Sequence, residues 1–194
     1  MEYLLEKSEA LARQVTSDKT RFLKDEINWN NRLIGIKGAR GTGKSTLALQ
    51  RLKQLNLPPT QAAYFSLDDL YFTTHELAGT IEDYYKQGGK YIFLDEVHKY
   101  KGWARHLKNI YDFYPAIKIV FTGSSIIDIA RQEVDLTRRV RLYNLPGLSY
   151  REFLNFQNVL EARPISLDEI LSTDRAWKDH FPVSFRPLEF FDKY

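Results

Sequence analysis

The sequence contains no cysteine in 194 residues, which excludes a disulfide framework, a cysteine nucleophile, a zinc ribbon and an iron–sulfur protein. It also lacks long apolar runs: no segment approaches the ~20 residues that cross a bilayer, and the first residues show no signal-peptide pattern. Charge of one sign is scarce too, because 28 Lys and Arg offset 25 Asp and Glu to leave +3. That excess is too small to demand a nucleic-acid partner. These absences predict a soluble, cytoplasmic chain with no membrane partner.

What is present is typical of a folded domain with a buried core, since 43% of the residues are hydrophobic and 27% are charged. Short apolar segments alternate with segments of helical periodicity. The predicted strands are 33–36, 62–67, 91–94, 117–121 and 140–145, and the predicted helices between them are 45–55, 77–85, 103–111 and 126–133. Strands that are apolar on both faces and alternate with helices favour an α/β fold with a central parallel five-stranded sheet between two helical layers.

Both ends of the chain are predicted to be helical extensions of this core. Residues 1–28 have helical periodicity with a break and a new N-cap at 16–18. Residues 147–194 are rich in aromatic residues and contain two capping-box spacings, at 149–152 and 166–169. We therefore divide the chain into an N-terminal helical segment (1–28), a core (29–146) and an aromatic-rich helical segment (147–194). The last segment is expected either to pack back on the core or to lead into a further domain.

A glycine-rich run between the first predicted strand and its helix carries the strongest signal of function. It reads Gly38-Ala39-Arg40-Gly41-Thr42-Gly43-Lys44-Ser45-Thr46 and contains the complete G-x-x-x-x-G-K-[ST] pattern. Its glycines allow backbone N–H groups to converge on an anion, and the helix N-terminus adds a positive dipole end. We predict that this run binds the phosphates of a nucleoside triphosphate, with Lys44 on the β- and γ-phosphates and the Ser45 hydroxyl on Mg²⁺.

Two adjacent acids end the apolar segment 91–94 and supply the second part of such a site. Asp95 lies at the carboxyl end of a predicted strand, where open α/β sheets bind their ligands. Its carboxylate suits Mg²⁺, directly or through water. Glu96 is predicted to polarise the water that attacks the γ-phosphate. His98, just beyond, is predicted to be structural or to couple the site to a partner.

The next predicted strand ends in Thr122-Gly123-Ser124-Ser125. If this strand inserts between the glycine-rich strand and the Asp-Glu strand, Thr122 or Ser124 would sense the nucleotide through a hydrogen bond. The alternative is that Ser124 and Ser125 only cap the following helix, and both roles are compatible.

A basic cluster precedes the last predicted strand. Arg138 or Arg139 is a candidate for stabilising the charge of the transferring phosphoryl group, in its own chain or across a subunit interface. A solvated edge and a phosphate contact to nucleic acid remain alternatives for this cluster.

Four blocks resemble the AAA-type P-loop ATPases of bacteria and archaea whose ATPase domain precedes an uncharacterised, often nuclease-like C-terminal domain. The blocks are 38–46 (GARGTGKST), 93–103 (FLDEVHKYKGW), 121–125 (FTGSS) and 138–154 (RRVRLYNLPGLSYREFL). The last block differs from the family pattern by an inserted glycine and by Tyr150 in place of Phe. The end of the chain is similar to the entry to the family's C-terminal domain, which is then missing here.

The resemblance implies ATP and Mg²⁺ as cofactors, and ATP hydrolysis that drives or switches an attached or partner domain. It assigns Lys44 and Ser45 to nucleotide and Mg²⁺, and Asp95 with Glu96 to the metal and the water. It also places residues 122–124 at the sensor position and Arg139 at the family's arginine. A homo-oligomer with this arginine acting in trans is the expected assembly, and the client is a protein or a nucleic acid.

Two other functions share these features. A small-molecule kinase has the same phosphate loop and parallel sheet, but it needs a lid carrying several arginines to exclude water, and no clear lid is visible. A nucleotide-binding switch or interaction module would bind ATP with little turnover. A GTPase is disfavoured because no Asn-Lys-x-Asp segment is present.

Overall fold

The computed structural model describes residues 1–124, 136, 138–161, 163–172, 181, 185–186 and 188–194. The predicted helix at 126–133 and the proposed capping residue Ser125 lie outside these residues. The described part forms two compact units, Met1–Gly147 and Leu148–Tyr194.

The first unit contains a five-stranded parallel sheet in the order β2-β3-β4-β1-β5. Its strands are β1 (Leu33–Lys37), β2 (Ala62–Ser66), β3 (Tyr91–Asp95), β4 (Lys118–Gly123) and β5 (Arg141–Asn144). Its helices are α1 (Glu2–Gln14), α2 (Leu23–Glu26), α3 (Lys44–Leu55), α4 (Leu77–Lys86) and α5 (Trp103–Phe113), with short 3₁₀ turns at Leu70–Thr73 and Val97–Lys99. The predicted α/β fold with a central parallel sheet is therefore confirmed, and so is the insertion of β4 between β1 and β3.

Alternation along each strand divides the core into two layers, because successive side chains of a strand point to opposite faces. On β3, Ile92 and Leu94 join the cluster that contains the apolar residues of α4 and α5. Phe93, between them, joins the cluster that contains those of α3. On β4, Phe121 joins the first cluster and Val120 the second. The near-continuous apolar strands therefore lie at the centre of three layers.

Helix α1 lies against the edge strand β2. Leu4 is buried in the core, and the buried Ser8 hydroxyl accepts a hydrogen bond of 2.8 Å from the backbone N–H of Tyr64. An edge strand has free backbone groups that invite pairing with another chain, and Ser8 occupies one of them. The predicted break after α1 is present, but the second helical piece begins at Leu23 and has four residues, shorter than the sequence pattern predicted.

The second unit has a small apolar cluster of its own. It contains α6 (Tyr150–Phe156) and α7 (Leu167–Leu171), and both helices begin with the predicted capping box, at Ser149 and Ser166. Leu154 and Leu160 are buried here, and described aromatic residues including Phe153, Phe181, Phe185 and Phe190 pack against them.

Among the residues that the structure describes, no helix is long and apolar enough to cross a membrane.

Candidate functional site

The glycine-rich loop connects β1 to α3 at the carboxyl edge of the sheet. Gly43 is the N-cap of α3 with φ of 90°, and Gly41 has φ of 81°, a left-handed conformation that side chains beyond Cβ disfavour. Gly38 is required for a different reason: a Cβ there would lie 2.2 Å from the carbonyl oxygen of Leu145. The loop can therefore follow its path only with these residues, and it presents the N-terminus of α3 to any anion that it holds.

Lys44, the first residue of α3, is buried, with 4% of its surface exposed. Its Nζ donates hydrogen bonds to the carbonyl oxygens of Gly38 at 2.9 Å and Ala39 at 2.7 Å. The ammonium group thus lies inside the concave side of the loop. Arg40 and Thr46 are exposed at the two ends of the loop's outer part.

Asp95 is the centre of the site. Its Oδ2 accepts hydrogen bonds from the Ser45 hydroxyl at 2.7 Å and from the Tyr64 hydroxyl, and its Oδ1 accepts one from the Thr122 hydroxyl. Asp95 and Thr122 are both buried, 5% and 1% exposed. Three hydroxyl groups from three different elements therefore hold one carboxylate beside the phosphate loop.

Strand register and alternation explain why these groups meet. Tyr64 and Phe93 lie on the face of the sheet that α3 covers, and Asp95, two residues after Phe93, points to that same face. The pairing of Leu94 with Phe121 brings the next residues, Asp95 and Thr122, side by side. Ser45 reaches them from the first turn of α3.

The donor set suits a hard divalent cation. Hydroxyl and carboxylate oxygens are ligands that Mg²⁺ accepts, and Mg²⁺ sites commonly combine one or two such protein groups with phosphate oxygens. Ser45 and Asp95 offer this combination. No group of three or more His, Asp or Glu residues suited to holding a metal occurs in the described part of the chain, which fits a cation held jointly with a phosphate ligand.

Tyr64 is a site residue that the sequence analysis missed. Burial raises the pKa of its hydroxyl, and the neighbouring Asp95 carboxylate raises the pKa further. The group therefore stays protonated and donates to Asp95 over the whole physiological range. In the sequence, a tyrosine among apolar strand residues is typical of core packing; only its place on the strand next to the aspartate marked it.

Glu96 leaves the strand in a left-handed conformation, with φ of 54°. Its backbone N–H donates to the Thr122 hydroxyl at 3.4 Å. Its carboxylate lies 3.2 Å from Nε2 of His98, and the same nitrogen lies 3.3 Å from the Ser124 hydroxyl. Of the two predicted sensor residues, Thr122 therefore contacts both acids and Ser124 contacts His98.

Arg21 is the second residue that the sequence analysis missed. Its guanidinium, in a residue that is 6% exposed, donates to the carbonyl oxygens of Thr42 in the phosphate loop, Pro146 (2.9 Å) and Gly147 (3.0 Å). Arg21 thus joins the loop to the segment that follows β5. A single arginine before a short helix carries no sequence signal for such contacts.

Arg139 lies away from the phosphate loop of its own chain. It precedes β5, which runs parallel to β1, so it lies at the amino edge of the sheet, whereas the loop follows the carboxyl edge. Its Nε and Nη2 donate to the Asp112 carboxylate at 2.9 and 3.2 Å. Arg138, beside it, is exposed. The structure therefore does not bring these arginines together with Lys44, Asp95 and Glu96 within one chain.

Comparison with known proteins adds the family. Residues 30–154 match the AAA domain family. Among solved structures, a Saccharomyces cerevisiae Hsp104–ADP complex is similar over 80% of this chain and 26% of its own, with 19% identity and a TM-score of 0.53. Caenorhabditis elegans PCH-2 is similar over 91% of this chain and 52% of its own, with 16% identity and a TM-score of 0.46. None of the curated proteins is similar enough to count as a match.

The chain spans about half the length of the PCH-2 chain and about a quarter of the Hsp104 chain. At 19% identity, the likeness to Hsp104 concerns the fold.

Proposed function

Because the chain belongs to the AAA domain family, we propose that it binds ATP with Mg²⁺ at residues 38–46 and hydrolyses it. The observation that carries the proposal is the 2.7 Å hydrogen bond between Ser45 and Asp95. It places the helix end of a phosphate loop against the carboxylate at the end of a neighbouring strand, which is the arrangement that a metal–triphosphate needs.

The chain's own residues divide the work. The loop N–H groups and Lys44 bind and orient the phosphates, and Ser45 with Asp95 holds Mg²⁺. When bound, Mg²⁺ neutralises charge on the phosphate oxygens. Thr122 and Tyr64 keep the Asp95 carboxylate in place through their hydroxyl groups.

Glu96 orients the attacking water and accepts its proton. Its side chain is 30% exposed, so a water molecule has access to it. Its unusual backbone conformation is held by the hydrogen bond to Thr122, and a strained position that its surroundings maintain is common at catalytic sites.

Arg139 acts on a neighbouring subunit in this proposal. Its place at the amino edge of the sheet leaves the site of its own chain without it, so an arginine at the γ-phosphate has to come from a second copy in a homo-oligomer. Hydrolysis would then drive or switch an attached or partner domain.

Phosphate release from Mg·ATP tests the proposal. Glu96→Gln is expected to bind ATP normally and to lose turnover by about 10²–10⁴-fold, the usual contribution of a general base. Lys44→Ala is expected to abolish binding. The matched controls are Glu82→Gln and Lys86→Ala, which change an exposed ion pair on α4 and should leave both quantities unchanged.

Three results would contradict it: wild-type turnover no higher than that of Lys44→Ala, unchanged turnover in Glu96→Gln, or phosphate transfer only to an added acceptor, which indicates a kinase. A mixing experiment tests the arginine. Arg139→Ala supplies an intact site and Glu96→Gln supplies an intact arginine, so turnover recovered on mixing supports action in trans. Mixtures no more active than the sum of their parts would refute it.

A further inference from the structure

His98 is the one residue that joins the acid after β3 to the hydroxyl after β4 through a single atom. Its Nε2 lies 3.2 Å from the Glu96 carboxylate and 3.3 Å from the Ser124 hydroxyl. Neither contact was expected from the sequence, in which His98 is only a residue two positions beyond Glu96.

The turn that presents His98 is rigid. The backbone N–H of Lys99 donates to the Glu96 carbonyl oxygen at 2.8 Å, and that of Tyr100 donates to Val97 at 3.1 Å. Val97 is fully buried in the core. His98 therefore projects from a 3₁₀ turn that is anchored on both sides, and its imidazole is held toward the carboxyl edge of the sheet.

The neighbours of the imidazole select its tautomer. A carboxylate only accepts hydrogen bonds, so the nitrogen that faces Glu96 has to carry the hydrogen. The other ring nitrogen, Nδ1, is buried with no hydrogen-bond partner in the described residues, and a buried N–H without an acceptor is costly. Both ends of the ring therefore favour hydrogen on Nε2.

This tautomer decides the role of Ser124. Because Nε2 carries the hydrogen, the Ser124 oxygen accepts, and the hydroxyl hydrogen of Ser124 remains available for another acceptor. Ser124 follows β4 at the same edge of the sheet as the phosphate loop, two residues after Thr122. A phosphate oxygen there is an acceptor of the required kind.

We propose that His98 is a positioning residue that holds the Glu96 carboxylate through its Nε2–H and links it to Ser124. The inference rests on the proposed ATP hydrolysis. When Ser124 donates to the nucleotide, its oxygen remains the second acceptor for Nε2–H, so Glu96 and the serine are oriented together. His98 itself touches neither ATP nor water in this role.

Turnover and affinity measured together test the role. His98→Ala is expected to lower kcat by about 10- to 100-fold, since a small misplacement of a reacting group has effects of that size, with Kd for Mg·ATP unchanged. His98→Gln should restore most of kcat, because the glutamine Nε2 supplies a donor. The matched control is His106→Ala: His106 is also paired with a glutamate, Glu76, and its side chain is about as exposed, 22% against 23%.

Combination with other variants separates positioning from a general structural effect. In a Glu96→Gln background, His98→Ala should cause no further loss. Ser124→Ala should lower kcat in the same direction, and the pair His98→Ala with Ser124→Ala should cost less than the product of the two single effects. Unchanged kcat in His98→Ala, equal losses in His98→Ala and His98→Gln, or full additivity with Glu96→Gln would each overturn the inference.

A measurement without turnover keeps the inference testable if the chain does not hydrolyse ATP. Imidazole ¹⁵N chemical shifts should report hydrogen on Nε2 of His98, and Glu96→Ala and Ser124→Ala should both move the His98 signals and leave those of His106 in place. Hydrogen on Nδ1, or His98 signals indifferent to both substitutions, would refute the link whatever the activity. Loss of turnover in the wild type with these shifts intact would contradict only the proposed function.

Discussion

Replacing Arg21 by methionine removes the buried guanidinium that joins the phosphate loop to the segment after β5. Three carbonyl oxygens, of Thr42, Pro146 and Gly147, lose a charged donor. Hydrogen bonds to charged groups contribute about 1.5–3 kcal/mol each, which sets an upper bound of about 5–9 kcal/mol for three.

Two effects reduce that bound. The methionine variant no longer buries a charge, whose desolvation opposes folding by several kcal/mol, and water can enter a polar site with several acceptors. We therefore expect the free energy of unfolding to fall by about 2–4 kcal/mol, which is about 6–12 °C in Tm for a central value of 3 kcal/mol in a chain of this size. Arg21→Lys should lie between, because a lysine keeps the charge but not the planar set of donors.

Thermal unfolding with and without Mg·ADP measures both parts of this prediction. Because one of the three carbonyls belongs to the loop, Arg21→Met should also raise Kd for the nucleotide and reduce the rise in Tm that the nucleotide causes. The control is Arg13→Met, which removes an arginine that is 76% exposed and paired with Glu9 on the same helix; its effect should stay within about 0.5 kcal/mol. Equal behaviour of the two variants would refute the reasoning.

Three further predictions concern other parts of the first unit. Gly38→Ala should abolish nucleotide binding, because its Cβ would lie 2.2 Å from the backbone oxygen of Leu145; calorimetric titration with Mg·ADP at the wild-type affinity would contradict this. Tyr64→Phe should weaken the Mg²⁺ dependence of binding, since the strand-end carboxylate loses one of its hydroxyl donors; an unchanged Mg²⁺ titration would count against it. Lys7→Met should cost about 1 kcal/mol at pH 7, because the lysine is half exposed and the interaction is screened. Burial opposes but Lys7 and a backbone N–H outweigh it, so the pKa of Asp69 is lowered, and that of Lys7 is raised by its hydrogen bond to Asp69. The difference between wild type and variant in urea unfolding should therefore hold between about pH 4 and pH 10.5, shrink as pH falls below this range through the lowered pKa of Asp69, and shrink again above it; a constant difference down to pH 2 would rule the pair out as its source.

The core of the site was predictable because its parts are local in the sequence. The residues from Gly38 to Ser45 carry a backbone path, a positive helix end and a lysine within one loop, so the spacing of residue types expresses the geometry. Asp95 was predictable for a related reason: an apolar strand that ends in an acid places it at the ligand-binding edge of a parallel sheet. The order of the strands, with β4 between β1 and β3, followed from the same pattern.

Tyr64, His98 and Arg21 were not predictable in their roles, since each depends on a contact with an element distant in the chain. A tyrosine in an apolar strand, a histidine in a turn and an arginine before a short helix all have common structural explanations. The choice among them is made by which strand is the neighbour and which face the side chain occupies.

The sequence by itself determined the class of fold and the chemistry that the loop and the two acids can perform, because alternation, glycine positions and residue types act over a few neighbouring residues. Only the tertiary structure decided how Asp95 is held by three hydroxyl groups, that Glu96 shares a histidine nitrogen with Ser124, and that Arg139 lies at the opposite edge of the sheet. Those outcomes depend on parallel register and on helix packing across the chain, and hydrogen bonds of about 3 Å are decided by shifts that no local pattern encodes.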